Sequence, residues 1–390
     1  MKRILSLLAA LALCLCLIIP AGAADAASAN LKCRDGAFKI IQVADTQEFI
    51  LSSTLTQEFL YDLAKNEKPD LFVLTGDNVS TGGASSFPKP IANLLVKLSV
   101  DNLMRAFDKI YKDFGIPMTM VFGNHDNEAG PDKVTRAEQF AMYAAHPSFI
   151  GYYIEAADKG TEDEQGQHYG THNLVVNNSA GTAPAFNIWM FDSGSYDPRG
   201  GYSAVQPAQI AWFQAEHARL GGLPSIAFQH IIVPEIFDKL TAEKTLPAGT
   251  RGEMRENPAP GKYNYGQYEA LCGAGVSALF VGHDHVNTYE LLVDGGTDLV
   301  NTLSTGFGSY GDIDLRGARV ITLKEDAPDA YDTKVVTYQT FYGPNILHRT
   351  RLSMFQGLST FAIFLDVLSF KPLLWLLDIL GMTPAYAPAA

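Results

Sequence analysis

The run Ala278-Leu279-Phe280-Val281-Gly282-His283-Asp284-His285 decides the fold. Four apolar residues make a short buried strand. A glycine turns the chain sharply, and two imidazoles one residue apart follow it. The same grammar recurs upstream. Phe38–Ala44 runs into Asp45-Thr46-Gln47, and Leu71–Thr75 into Gly76-Asp77-Asn78. Met118–Phe122 runs into Gly123-Asn124-His125-Asp126, and Ser225–Phe228 into Gln229-His230. A further run, Phe186–Phe191, ends at Asp192. In open α/β sheets the carboxyl ends of the strands are where functional groups collect.

Helical stretches separate these strands. Thr54–Lys65 stops before Pro69, and Ile91–Phe114 ends at Gly115 and Pro117. Gln206–Leu220 carries Pro207 in its first turn and Gly221 after its end, as helix termini prefer. The alternation predicts an α/β architecture. Val300–Leu303, Arg319–Leu323 and Lys334–Phe341 follow without long helices between them, which predicts mixed or antiparallel pairing. Ala156–His168 is polar and Gly-rich and reads as a loop. No linker interrupts residues 33–345, so one catalytic-sized domain is expected there.

The composition fits a folded chain. Of 390 residues, 47% are hydrophobic and 18% charged, which excludes disorder over most of the length. The formal charge is −13. With no basic stripe, no nucleic-acid-binding surface is expected. Four cysteines are too few for a disulfide scaffold.

Residues 1–27 read as an export signal, cleaved near 23–27. Lys2 and Arg3 precede the apolar run Ile4–Ile19, Pro20 breaks it, and Ala21-Gly22-Ala23 and Ala24-Asp25-Ala26 offer small-x-small sites. The expected location is therefore periplasmic, extracellular or at the cell surface. Cys14 and Cys16 lie inside this segment, which leaves Cys33 and Cys272. Whether those two pair stays open. Residues 350–382 form a strongly apolar tail, broken by Asp366, Lys371, Pro372 and Asp378. Two readings of it stand: helices packed on the domain, or association with a membrane surface.

Carboxylates, amides and imidazoles at five strand ends suit a two-metal centre. Oxygen and imidazole donors bind Mn, Fe or Zn. One aspartate can bridge two cations, and two histidines one residue apart can serve different ones. Such a pair binds phosphate oxygens and generates a nucleophile, so no serine or cysteine is needed. Taken singly, each piece is ordinary. A lone Gly-Asp is turn chemistry, and Asn-His-Asp also caps helices. The ordered set carries the signal.

That set resembles the calcineurin-like metallophosphoesterase superfamily. Phe191-Asp192-Ser193-Gly194-Ser195-Tyr196, Gln209-Ile210-Ala211-Trp212-Phe213, His230-Ile231-Ile232-Val233-Pro234-Glu235 and Gly282-His283-Asp284-His285-Val286-Asn287 resemble its Dcr2-type and small purple-acid-phosphatase-like branch. The likeness spans about residues 35 to 325. It implies a four-layer α/β/β/α sandwich of two mixed sheets. It also implies a metal-dependent phosphohydrolase, with monoesters favoured over nucleotide or lipid-headgroup diesters, and hydroxide on the metal pair as nucleophile. The runner-up is a non-catalytic binding protein on the same scaffold. The cofactors implied are two divalent ions, Mn, Fe, Zn or Mg.

The resemblance assigns roles residue by residue. Asp45 and His285 would bind the first metal, and Asp77 both. Asn124, His230 and His283 would bind the second. His125 would be the general acid, oriented by Asp126 or Asp45. Where the superfamily commonly has histidine, this chain has Gln47. Purple enzymes place a tyrosine three residues after the bridging aspartate, and here that residue is Ser80. Gln47 is thus a weak ligand or a residue outside the coordination sphere. The expectation is a weaker first site or one that prefers Mn or Mg, with no purple chromophore. Asp126 and Asp192 are expected to act from outside the sphere, Asp192 by holding a loop or a histidine. Glu235 is a candidate to position His230. His172 reads as structural, and Trp189 and Trp212 as core.

Overall fold

The computed structural model describes residues 31–49, 54–158, 162–163, 166–240, 246–343, 345–355 and 371–380. The expected export signal, with Cys14 and Cys16, lies outside them, as do residues 356–370 of the tail.

Strands β1 (Ala37–Val43), β2 (Leu71–Thr75) and β3 (Met118–Val121) alternate with helices α1 (Thr54–Glu67) and α2 (Lys89–Phe114). Gly115, at φ 71°, stops α2 by adopting the left-handed conformation that closes helices. Helix α3 (Arg136–Ala144) opens with Thr135 and Glu138 satisfying each other's backbone amides, a cap worth about 1 kcal/mol. A two-strand hairpin follows, β4 (Glu162–Asp163) with β5 (Gly166–Gln167), in the segment read as a loop. Next come β6 (His172–Asn177), β7 (Pro184–Met190), α4 (Pro207–Arg219), β8 (Ser225–Phe228), α5 (Gln267–Gly273) and β9 (Ala278–Val281). The chain then runs through β10 (Glu290–Leu291), β11 (Asp298–Asn301), β12 (Gly317–Lys324) and β13 (Ala327–Thr337). Helices α6 (Tyr338–Tyr342), α7 (Ile346–Phe355) and α8 (Lys371–Ile379) end the described chain.

The strands form two mixed sheets, in the orders β13-β12-β1-β2-β3 and β10-β11-β9-β8-β7-β6. β1, β2 and β3 are parallel, as are β7, β8, β9 and β11. The remaining pairs are antiparallel. Ile40, Leu71, Val73 and Val121 of the first sheet pack on Val176, Ile188, Phe228 and Phe280 of the second. The outer face of the first sheet is covered by α1 and α2 through Phe59, Leu63, Val100 and Phe107. Ile210, Phe213 and Leu271 of α4 and α5 cover the second. This is the four-layer sandwich, with both strand faces buried as parallel sheets require.

Two further details differ from the sequence reading. The run Lys334–Phe341 is not one strand: β13 starts at Ala327 and ends at Thr337, where a Thr337–Thr340 capping box starts α6. β6 was not anticipated. Cys33 is buried between the sheets and Cys272 lies on the outer side of the second, and both are free thiols. In the tail, Leu352 and Phe355 of α7 join the core of the first helical layer. Buried Arg351 meets Glu58 at 2.6 Å. That half of the tail is packed. Trp189 and Trp212 meet in the outer core of the second sheet, as expected.

His172 is structural. Its Nδ1 lies 2.7 Å from the Gly170 carbonyl and its Nε2 2.8 Å from the Thr119 hydroxyl. A neutral ring that donates to the first and accepts from the second satisfies both. Burial pushes its pKa down to about 4, against 6.5 ordinarily. The fold therefore holds the neutral ring, and its contribution is complete above pH 6.5. It is lost as the pH falls from 6.5 to 4, by about 3 kcal/mol in all. Denaturant unfolding of wild type and His172→Gln across that range should give converging stability curves, with wild type losing more. Parallel curves would contradict this.

Candidate metal centre

The sheets bring their carboxyl ends together. A parallel bridge joins Ala44 to Ser304, and the Thr305 amide donates to the Ala44 carbonyl at 2.8 Å. Buried Gln42 donates to the Thr75 hydroxyl and to the Val281 carbonyl, and accepts from Thr302. It ties the two sheets just beneath the site.

Above that tie the sequence-predicted residues converge. Asp45, Asp77 and His285 offer atoms within 4.8 Å of one another, and so do Asp77, His230 and His283. All five are buried, and Asp77 belongs to both groups. Asn124 joins the second, its Oδ1 3.2 Å from His230 Nε2. Gln47 joins the first, its Nε2 3.1 Å from Asp77 Oδ2 and 3.4 Å from His285 Nε2. The amide thus lies inside the cluster.

The backbone is strained to achieve this. Among the described residues six non-glycine positions have positive φ, and four are in the site: Asp45 (52°), Gln47 (43°), Asp77 (50°) and His283 (73°). Left-handed backbone costs a non-glycine residue about 1 kcal/mol or more, and such strain concentrates at functional sites. Close approach demands glycine at two neighbouring positions. A Cβ at Gly123 would sit 2.2 Å from Asp77 Oδ1, and one at Gly282 2.8 Å from Asp45 Oδ2.

The donor set fits a pair of cations. His230 turns Nδ1 to the Thr75 carbonyl at 2.8 Å, and His285 turns Nδ1 to the Tyr310 carbonyl at 2.8 Å. Each Nδ1 then carries the proton of the neutral ring, and each Nε2 presents a lone pair. His230 Nε2 faces Asp77 Oδ2 at 3.4 Å and His283 Nδ1 at 3.2 Å. His285 Nε2 faces Asp45 Oδ1 at 3.3 Å. Asp45 Oδ1 and His283 Nε2 are buried without a hydrogen-bond partner. Lone pairs aimed at one another call for positive charge between them. Protons would otherwise have to supply that charge, and the pKa values report this second way of meeting the demand. Burial alone would raise Asp77, yet His230, His125 and His283 hold its carboxyl well below the usual range. Burial opposes charge on His230, yet Asp77 and Asp45 raise it to about 9. Burial and the charge on His230 push His283 well below 6.5.

His125 stands at the edge of the cluster, its backbone N–H donating to Asp77 Oδ1 at 2.8 Å. Its Nε2 lies 3.9 Å from Asp77 Oδ2. The carboxylate that orients it is neither Asp126 nor Asp45. Asp126 is buried and accepts from the backbone amides of Gly123, Asn78 and Val79, locking two loops together. Asp45 Oδ2 accepts from the His283 amide. Glu128 takes the role, with Oε1 2.8 Å from His125 Nδ1. Against the burial penalty, Glu128 and Asp77 raise His125 to about 9.

Asp192 lies away from the cluster. It pairs with buried Arg136 and accepts from the amides of Tyr169 and Gly194. Its carbonyl faces His168 Nδ1 at 2.7 Å. Glu235 accepts from Asn264, on a loop away from the His230 ring. Three tyrosines frame the site that the motifs did not indicate. Tyr202 meets His283 edge-on at 4.3 Å, Tyr196 stacks with Tyr202 at 5.6 Å, and Tyr310 stacks on His285 at 4.2 Å.

Known proteins resemble this chain in sequence. The profile of the calcineurin-like phosphoesterases matches residues 38–287. The probable inactive purple acid phosphatase 29 of Arabidopsis thaliana is 27% identical over 74% of this chain and 77% of its own length. Phosphatase DCR2 of Saccharomyces cerevisiae is 25% identical over 67% of this chain and 46% of its own. A solved dimetal phosphatase from Danio rerio covers 78% of this chain and all of its own, at 12% identity and a TM-score of 0.48. With most of both sheets inside the matched region, the chain belongs to the calcineurin-like phosphoesterase family.

Proposed function

We propose that this phosphoric ester hydrolase is an exported enzyme that cleaves phosphate monoesters with two divalent cations. Asp45, Asp77, His285 and Gln47 would hold the first, and Asp77, Asn124, His230 and His283 the second. The observation that carries the reading is that two buried donor groups share Asp77. Cations bound there supply Lewis acidity toward the phosphoryl oxygens and the nucleophile for hydrolysis.

The side chains do the rest. Asp77 and the histidines around it fix the geometry through backbone carbonyls and amides. His125 offers Nε2 on the side of Asp77 and gives its proton to the departing oxygen. With its amide turned over from the orientation in which Nε2 faces Asp77 and His285, Gln47 would supply a neutral oxygen in place of an imidazole nitrogen, which favours Mn or Mg over Zn at the first position. The relative named a phosphatase supports the monoester preference. Export rests on Lys2, Arg3, the apolar run Ile4–Ile19 and the small residues after Pro20.

A second reading, a non-catalytic binding protein, draws on Gln47 and on relatives named probable inactive. One assay separates the two and ranks monoesters against diesters. Hydrolysis of an alkyl phosphate monoester and its diester, whose leaving oxygens need a proton, is measured with Mn, Zn, Fe or Mg. The monoester should turn over only with metal, and His125→Ala should lower the rate about a hundredfold. No turnover from protein that binds metal would favour the binding reading.

The amide at position 47 has its own consequence. In chelator competition, Gln47→His should tighten zinc at the weaker position about tenfold or more. Unchanged zinc affinities would place Gln47 outside coordination.

The tail supports contact with a membrane surface. Trp375 of α8 is 66% exposed, and Leu376, Ile379 and Leu380 are also exposed. Among the described residues no helix is long and apolar enough to cross a membrane. Full-length protein should float with liposomes, and Trp375→Glu with Leu376→Glu should reduce that fraction. Equal flotation would end the idea.

A further inference from the structure

Glu128 does more than meet His125. The same Oε1 that faces His125 Nδ1 at 2.8 Å accepts from the Tyr196 hydroxyl at 3.3 Å. The Tyr196 oxygen in turn accepts from Asn124 Nδ2 at 3.1 Å. Asn124 Oδ1 is thereby left facing His230 Nε2. Four side chains thus form one hydrogen-bonded line from the general acid to a candidate ligand.

The direction of that line is set by its carboxylate. A carboxylate only accepts. The Nδ1 proton of His125 and the hydroxyl proton of Tyr196 are both committed to it. The Tyr196 oxygen is then free only to accept, so Asn124 must give it the NH2 end. The oxygen end of the Asn124 amide turns to the metal cluster by default. Other structure protects the arrangement. The 3-10 turn His125–Asn127 places Glu128 one turn beyond His125. A Cβ on Gly82 would come within 2.9 Å of Glu128 Oε2. Ser195, beside Tyr196, donates to the Asn124 carbonyl at 3.2 Å.

We propose that Glu128 and Tyr196 are positioning residues that fix, from one carboxylate, both the ring orientation of His125 and the amide orientation of Asn124. This rests on the phosphatase reading above. With Glu128 in place, His125 keeps Nε2 on the substrate side and Asn124 keeps its oxygen on the cation side. Without Glu128, the ring is free to rotate and its Nδ1 proton is released to solvent. The loss falls on esters whose leaving oxygen needs a proton. A nitrophenolate leaves without one.

The test uses the full chain loaded with zinc, as wild type, Glu128→Ala, Glu128→Gln and Tyr196→Phe. Nitrogen-15 NMR should show a slowly exchanging His125 Nδ1 proton in wild type. The amide oxygen of Glu128→Gln should keep it and Glu128→Ala should lose it. Under saturating zinc, Glu128→Ala should lower kcat on an alkyl phosphate about 10- to 100-fold more than on nitrophenyl phosphate, and Glu128→Gln should recover most of that difference. Tyr196→Phe should release zinc faster to a chelator. Persistence of the Nδ1 proton in Glu128→Ala would overturn the proposal, as would equal losses on both esters. If wild type hydrolyses neither ester, the phosphatase reading fails, and the NMR and chelator arms still decide this inference.

Discussion

The structure is organised around an excess of electron pairs. Asp45, Asp77, Asn124, His230, His283 and His285 turn oxygens and unprotonated nitrogens toward one another in a buried space. Left without positive charge, such a cluster is among the most expensive things a fold can bury. The surrounding backbone removes the cheap escape. Carbonyls at Thr75 and Tyr310 hold the protons of two imidazoles on their outer nitrogens. Positive φ at Asp45, Gln47, Asp77 and His283 stops the chain from relaxing outward. The resulting field favours cations and, through them, an anionic substrate, even though the chain carries a charge of −13.

The carboxylates around this cluster divide the labour. Asp126 accepts three backbone amides and sets the spacing of the Asp77 and Asn124 loops. Asp192 neutralises a buried arginine and fastens the loop after β7. Glu128 meets the Nδ1 of His125. Each is chemically alike and differs only in which hydrogen atoms its backbone position lets it reach. This is why the sequence reading gave the orienting role to Asp126 or Asp45, when the geometry puts the residue three positions beyond His125 against its ring.

Much of the site was legible because strand ends announce themselves. An apolar run of four or five residues followed by Gly and a polar group needs no tertiary information to recognise. The parts that escaped depend on such information. Tyr196, Tyr202 and Tyr310 come from loops, and nothing in their local sequence says that Tyr202 and Tyr310 face histidines or that Tyr196 meets Asn124 and Glu128. β6 runs through Asn173 and Asn177, and those polar residues hide the strand. β13 is exposed along most of its length, so only its buried end at Val336 and the helix beyond it read as apolar. Gln47 was visible as a departure, but only the fold shows its amide touching both Asp77 and His285.

Asp45, Gln47, Asp77 and Asn124 hang from the first sheet, while His230, His283 and His285 hang from the second. Neither sheet alone assembles both donor groups. A cation held across that seam therefore works as a rivet, since it binds only the finished sandwich and draws the folding equilibrium toward it. Thermal resistance would track the metal supply of the compartment in which the chain resides. A chain arriving there unfolded would become fully stable only after meeting its ions.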